Sequence, residues 1–369
     1  MKLTIDRNTF LKGLSHGQGV VERRTTMPIL SHILLKAAGE ELQLTSTDLE
    51  FSIVEKIPAS IKQEGQITVS AHMLYDIVRK LSDGAEISLA FDPNTSQMII
   101  CSGPSNFKLP SLPAEDFPVI TSNELPYNFV LPAAQLRYLI ERTRFAMSTE
   151  ETRYFLNGIY LHVSTDQHLR AVATDGHRLA QVSVPLPQGA EAMPGIIISR
   201  KTVTELLKLI ADTQEDIQIS ISETQIAVTI QNAYVTSRLI DGTYPDYAAA
   251  IPKANDKMVQ LRMKMFSEAV DRVATVSVGR LAGVRLSIDE GALILTAANE
   301  ESGAAREEIA VDYNNTPIDI GFNARYLLDV ANQIETEEAQ FWFADSTSPI
   351  LIRPTNDDSS LYVLMPMRV

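Results

Sequence analysis

QITVSAHMLYDIVRKLSDGAEISLAFD (Gln66–Asp92), GIIISRKTVTELLKLIADTQEDIQISIS (Gly195–Ser222) and DIGFNARYLLDVANQIETEEAQFWFAD (Asp319–Asp345) are three versions of one pattern. Each opens on a short run of strand character and reaches a Ser or Asn where a helix should begin. Ser70, Ser199 and Asn323 are predicted N-caps, because a short polar side chain there can satisfy backbone N–H groups that lack an intrahelical acceptor. An apolar face follows at helical spacing, as in Leu74, Ile77, Val78 and Leu81, or Val203, Leu206, Leu207 and Ile210. An acidic cluster then leads into an alternating strand.

A second element keeps step with the first. KLTIDRNTFLKGL from Lys2, NFVLPAAQLRYLIERTRFA from Asn128 and MVQLRMKMFSEAVDRVATVS from Met258 each read as a strand running into a helix. Two independent elements recurring together roughly every 125 residues mark a threefold internal repeat. Strand pairs fill the intervals: 33–35 with 42–45, 158–161 with 169–174, and 284–286 with 293–297. A hairpin, Gln225–Ile230 answered by Tyr234–Leu239, closes the second unit. The predicted fold is α+β, with three similar domains at 1–126, 127–255 and 256–369. Each has two helices against antiparallel sheet and is long enough to bury its own core.

Composition restricts the function. The chain has 369 residues, a single cysteine (Cys101) and a formal charge of −14. One cysteine excludes an intrachain disulfide and a multi-cysteine metal site, and fits a reducing cytoplasm. The charged N-terminus does not read as a signal peptide, and no apolar run is long enough for a membrane helix. Asp175-Gly176-His177 places Asp beside His but supplies neither an oriented base nor a nucleophile. His16, His32, His72, His162 and His168 have no metal-ligand spacing, and Gly17-Gln18-Gly19 lacks the rest of a phosphate loop. No catalytic residue, metal or cofactor is expected. The net charge argues against binding DNA by charge alone. The predicted helices nevertheless carry twelve Lys and Arg (Lys12, Arg79, Lys80, Arg137, Arg142, Arg144, Arg200, Lys201, Lys208, Lys264, Arg272, Arg325) against six Asp and Glu. The acid therefore lies outside the helices.

RYFLNGIYL (Arg153–Leu161), ATDGHRLA (Ala173–Ala180), DGTYPDY (Asp241–Tyr247) and YVLMPMRV (Tyr362–Val369) resemble the bacterial DNA polymerase III beta subunits, the beta sliding clamps. TMPILSHILL (Thr26–Leu35) and GFNARYLLDV (Gly321–Val330) resemble them too, so the likeness runs from end to end. It implies a DNA-clamp fold paired head to tail as a homodimer, a closed ring with twelve helices lining the hole. Helices spaced ~8–10 Å apart give a perimeter of roughly 100–120 Å, and a hole of about 22–28 Å once a helix width of ~10 Å is removed. Duplex DNA fits such a hole.

The resemblance also implies partners: double-stranded DNA held without regard to sequence, the clamp loader, the replicative polymerase alpha subunit, and other polymerases and repair proteins that dock a short linear peptide. It carries the peptide groove onto Leu156, Thr174, Gly176, His177, Arg178, Leu179, Pro245, Val363, Met365, Pro366, Met367 and Arg368. Methionine suits a surface that accepts several partners. Ala249 and Ala250 stand where many relatives have a basic and a larger apolar residue, which makes one wall shallower. DNA contacts fall on Arg24, Tyr154, Arg200 and Lys201, where a cation can meet phosphate without reading sequence. At Asn106 and Glu150 many relatives offer a better DNA contact. The dimer joint falls on Phe107 and Leu109 of one chain against Thr275 and Val276 of the other. The rival reading is a peptide-binding scaffold with no topological hold on DNA.

Overall fold

The computed structural model describes every residue except Arg24, 119–123, Asp212, 278–282, 300–302 and Val369. Its residues form two compact units. One comprises Met1–Arg137, Pro187–Pro194 and Lys201–Leu239; the other comprises Tyr138–Leu186, Gly195–Arg200 and Ile240–Val369. Six α-helices occur among the described residues: α1 (Arg7–Val20), α2 (Ala71–Lys80), α3 (Ala133–Glu141), α4 (Arg200–Ile210), α5 (Met263–Ala274) and α6 (Ala324–Ala331). They are the two helices per repeat that the sequence predicts.

The first unit is built on one antiparallel sheet of thirteen strands among the described residues. Its helix α1 starts at Asp6, whose carboxylate accepts the Thr9 N–H at 2.9 Å. Phe10, Gly13, Leu14, Gly17 and Val20 form the buried stripe. The glycines let the helix lie close to the sheet: a Cβ at Gly13 would come 2.6 Å from Leu44, and one at Gly17 2.7 Å from the Ser46 hydroxyl. Leu3, Phe10, Leu14, Ile33, Leu35, Leu74 and Val78 sit at the centre of this core.

In the second unit an eight-stranded and a four-stranded antiparallel sheet carry α5 and α6. Phe266 of α5 meets Phe341 edge to face at 5.0 Å, an arrangement in which a ring edge points at the π face of its neighbour.

The sheets join the repeats through two strand pairs. In the first unit, Phe51–Pro58 pairs with Ala233–Arg238, Ile53 opposite Val235. In the second, Arg178–Pro185 pairs with Ser360–Leu364, Ala180 opposite Tyr362. Each pair sets the fourth strand of one repeat against the last strand of the next. Among the described strands that keep an open side are Gly303–Ala310, which ends the four-stranded sheet, and Ser105–Leu112, which meets Gly65–Ser70 only near residues 111–112.

Two local expectations need correction. Asn323 caps α6 by accepting the Arg325 N–H at 2.9 Å, but the Ser70 side chain makes no cap bond. Helix α3 stops at Glu141, short of the predicted end. The Thr143 hydroxyl donates to the Leu139 carbonyl at 2.6 Å, and such side-chain bonding competes with continuing the helix. Arg142 and Arg144 therefore leave the helix, Arg142 to lie buried in an ion pair with Glu335. With Arg7 now inside α1, the helices carry eleven basic and six acidic side chains. The basic bias survives the correction.

Candidate peptide groove and DNA-facing side chains

The second unit has an apolar cluster made of Leu156, Val172, Leu179, Ile197, Tyr244, Leu351, Leu361 and Val363, with Phe155, Tyr160, Tyr247, Ile251 and Trp342 packed against it. Leu179 and Val363 face each other across the pairing of Arg178–Pro185 with Ser360–Leu364. Leu156 ends the 3-10 segment Glu151–Leu156 and closes the cluster from the side. These three predicted residues are buried within this cluster. Pro245 is exposed on the segment that follows Ile240.

The turn 174–178 is tightly bonded. The Thr174 hydroxyl donates to the Arg178 carbonyl at 2.7 Å and accepts the Gly176 N–H at 3.1 Å, while Asp175 accepts the His177 N–H at 2.9 Å. Gly176 has φ +87°, a left-handed conformation that disfavours a side chain. The turn leaves His177 exposed.

Arg178 is not available as a free cation. Its guanidinium pairs with Asp175 and Asp329 and lies over the Tyr326 ring at 4.3 Å and the Phe145 ring at 5.2 Å. It ties the turn to α6. Replacing Arg178 with Ala would strand two carboxylates that are largely shielded from water. A stability loss of about 2–4 kcal/mol is expected, measured by urea unfolding. A loss below about 0.5 kcal/mol, the size of an ordinary surface substitution, would contradict this role.

The C-terminal segment runs over the turn. The Met365 N–H donates to the His177 carbonyl and the Met367 N–H to the Gly321 carbonyl, each at 2.8 Å. The Met365 side chain is 43% exposed, whereas Pro366 and Met367 are half-buried and Arg368 is exposed. Met365 thus leaves a soft apolar group in water beside a buried apolar floor.

The predicted DNA residues are placed less uniformly. Arg24 lies outside the described residues. Tyr154 is 53% exposed. Arg200 donates to the Met147 and Ser148 carbonyls at 3.0 and 2.8 Å, and Lys201 donates to the Val20 carbonyl at 2.7 Å and to the Asp48 carboxylate. Both cationic heads already serve the protein. Of the joint residues, Phe107 is half-buried and Leu109 buried, while Thr275 and Val276, just past α5, are exposed and half-buried.

Comparison with known proteins turns these observations into an assignment. Models of the N-terminal, central and C-terminal domains of the DNA polymerase III beta subunit match residues 1–121, 130–246 and 248–368. The chain belongs to the beta sliding clamp family. It is 48% identical over 372 residues to the beta sliding clamp of Caulobacter vibrioides and 37% identical over 370 residues to that of Escherichia coli K12, covering 100% of both chains in each case. Among solved structures, the sliding clamp of Bartonella birtlesii bound to griselimycin matches with a TM-score of 0.97 and 47% identity, covering all of both chains. The Caulobacter crescentus clamp with PEG at a putative beta-motif tethering region matches with TM-score 0.97 and 48% identity, covering 100% of this chain and 99% of that one. This clamp is accordingly a processivity factor for DNA polymerase III and not its catalytic subunit. No helix among the described residues is long and apolar enough to cross a membrane.

The sequence reading missed Val172, Ile197, Tyr244, Leu351 and Leu361 of the apolar cluster. The apolar character of 168–174 and 360–364 marks strands with residues buried on both faces. It does not say which strands become neighbours.

Proposed function

We propose that two copies of this clamp close head to tail into a ring around duplex DNA and recruit polymerase and other partners through the groove at Leu179, Val363 and Met365. The observation that carries the ring is that two of the open strands, Ser105–Leu112 and Gly303–Ala310, match the strands that pair between repeats within the chain. Ile53 and Ala180 occupy one place in the repeat, opposite Ser46 and Ala173 of the preceding strand; Ala305, opposite Ala297, occupies the same place in the third repeat. Val235 and Phe107 likewise share a place, opposite Val228 and Ile100. The partner of Ala305 is therefore Phe107 of a second copy. Two such joints satisfy both of these strands and close the assembly at two copies. Phe107 and Leu109 share one strand face, which brings both towards the end of α5, where Thr275 and Val276 lie.

In this reading the three domains are 1–126, 127–255 and 256–369, and the protein works in the cytoplasm. Exposed Lys12, Lys80, Lys264 and Arg325 supply the basic lining, with Tyr154 and Arg24 as further contacts. Arg200 and Lys201 reach phosphate only by exchanging internal bonds. A loose lining suits sliding, because tight phosphate neutralisation would make the hold steeply salt-dependent.

Disulfide trapping tests the register. In a Cys101→Ser background, Ala305→Cys with Phe107→Cys should give a covalent dimer on oxidation, while either single variant should not. Absence of the dimer, with cysteines two residues out of register cross-linking instead, would refute the pairing.

A further inference from the structure

The wall of the groove that carries Pro245 is an irregular segment, and it leads into the 3-10 turn Tyr247–Ala250. Two of its aromatic residues seat on a single strand, Gly158–Val163. Tyr244 lies flat on Tyr160, with ring centroids 4.7 Å apart and planes 5° apart. The Tyr247 hydroxyl lies 3.0 Å from His162 Nε2. Tyr160 and His162 are two residues apart, so they share one strand face, and their rings stack at 4.7 Å. Gly195 leaves room for this arrangement, since a Cβ there would come 2.3 Å from the Tyr160 hydroxyl.

The hydrogen bonds fix the direction of the contact. His162 Nδ1 is 3.0 Å from the Val163 carbonyl, which can only accept, so Nδ1 carries the proton. Nε2 is then the acceptor for the Tyr247 hydroxyl. Burial pushes the His162 pKa below its ordinary value, which favours the neutral ring. Across the strand pair stands Arg170, which is occupied with Asp166 at 3.0 Å.

We infer that His162 is a positioning residue for ligand capture: by accepting from Tyr247 it holds the Tyr244–Ile251 wall in its binding shape before a ligand arrives. The inference rests on the groove reading above. A wall ordered in advance spares the ligand the cost of ordering it on binding. Ala249 and Ala250 are exposed, and the wall is braced by this strand face together with the Asp246 carboxylate, which accepts the Ala248 N–H at 3.2 Å.

The test is calorimetric titration of griselimycin into the full-length protein. Tyr247→Phe keeps the ring and removes only the hydroxyl, so its fold should be undisturbed. Tyr247→Phe and His162→Ala should each weaken binding about three- to tenfold, the value of one net hydrogen bond. The double variant should be no weaker than His162→Ala alone, because both remove the same contact. His162→Gln, which keeps an acceptor, should restore most of the affinity. Additive losses, or unchanged affinity in Tyr247→Phe, would overturn the inference. A variant lacking Met365–Val369 serves as the control: if it binds griselimycin normally, the groove reading itself fails.

Discussion

Removal of Met365–Val369 is expected to abolish capture of the polymerase alpha subunit, weakening it at least about 100-fold, while the protein remains a folded dimer. The strand Ser360–Leu364 stays in the sheet through its pairing with Arg178–Pro185 and Ile350–Pro354, so the floor at Leu179 and Val363 survives. What is lost is the exposed Met365 side chain, the half-buried Met367 and the backbone bonds to His177 and Gly321. Burying one methionine side chain is worth roughly 1.5–3 kcal/mol, so losing two apolar groups and the ordered backbone reaches the stated magnitude. The dimer should persist because its open strands, 105–112 and 303–310, bond to none of the deleted residues. Sedimentation and a binding titration on the same preparation separate the two effects. Normal alpha-subunit affinity in the truncated protein would refute the groove.

The second large effect is expected at the joint. Ala305→Asp together with Phe107→Asp should convert the dimer to monomers, raising its dissociation constant at least about 100-fold. Ala305 shares a strand face with Glu307, which Arg272 of α5 holds at 2.7 Å, so the face already contains one compensated carboxylate. Two further carboxylates brought opposite each other would repel and would lose water on pairing. Ala305→Asp alone, on a half-buried open strand, tests the joint without touching the core that Phe107 adjoins. Sedimentation equilibrium reads the result. A dimer of unchanged strength in both variants would place the joint elsewhere.

The sequence made the repeat legible because helical and strand periodicities are local. Leu74, Ile77 and Val78 reveal α2, and Val203, Leu206 and Ile210 reveal α4, without reference to anything distant. The pairings that join the repeats are not local. Nothing within Phe51–Pro58 names Ala233–Arg238 as its neighbour, because both strands alternate compatibly with many others. The end of α3 was hidden for a related reason. Arg142 fits a helix by propensity, and only the hydroxyl of Thr143 and the distant Glu335 draw it away. At the site, Leu179, Val363 and Met365 were reached through family motifs. Arg178 belonged to the same motif, yet its role is set by Asp329 and Tyr326, about 150 residues further along the chain. His162 stood out in the sequence only as a histidine without metal spacing. Its partner Tyr247 lies 85 residues away.

The ring is tested most directly by loading the protein onto nicked circular DNA with a cognate clamp loader, then linearising half the sample before gel filtration. Topological hold predicts that the protein stays with circles and runs off linear ends. Equal retention on circular and linear DNA would mean ordinary surface binding and would contradict the ring.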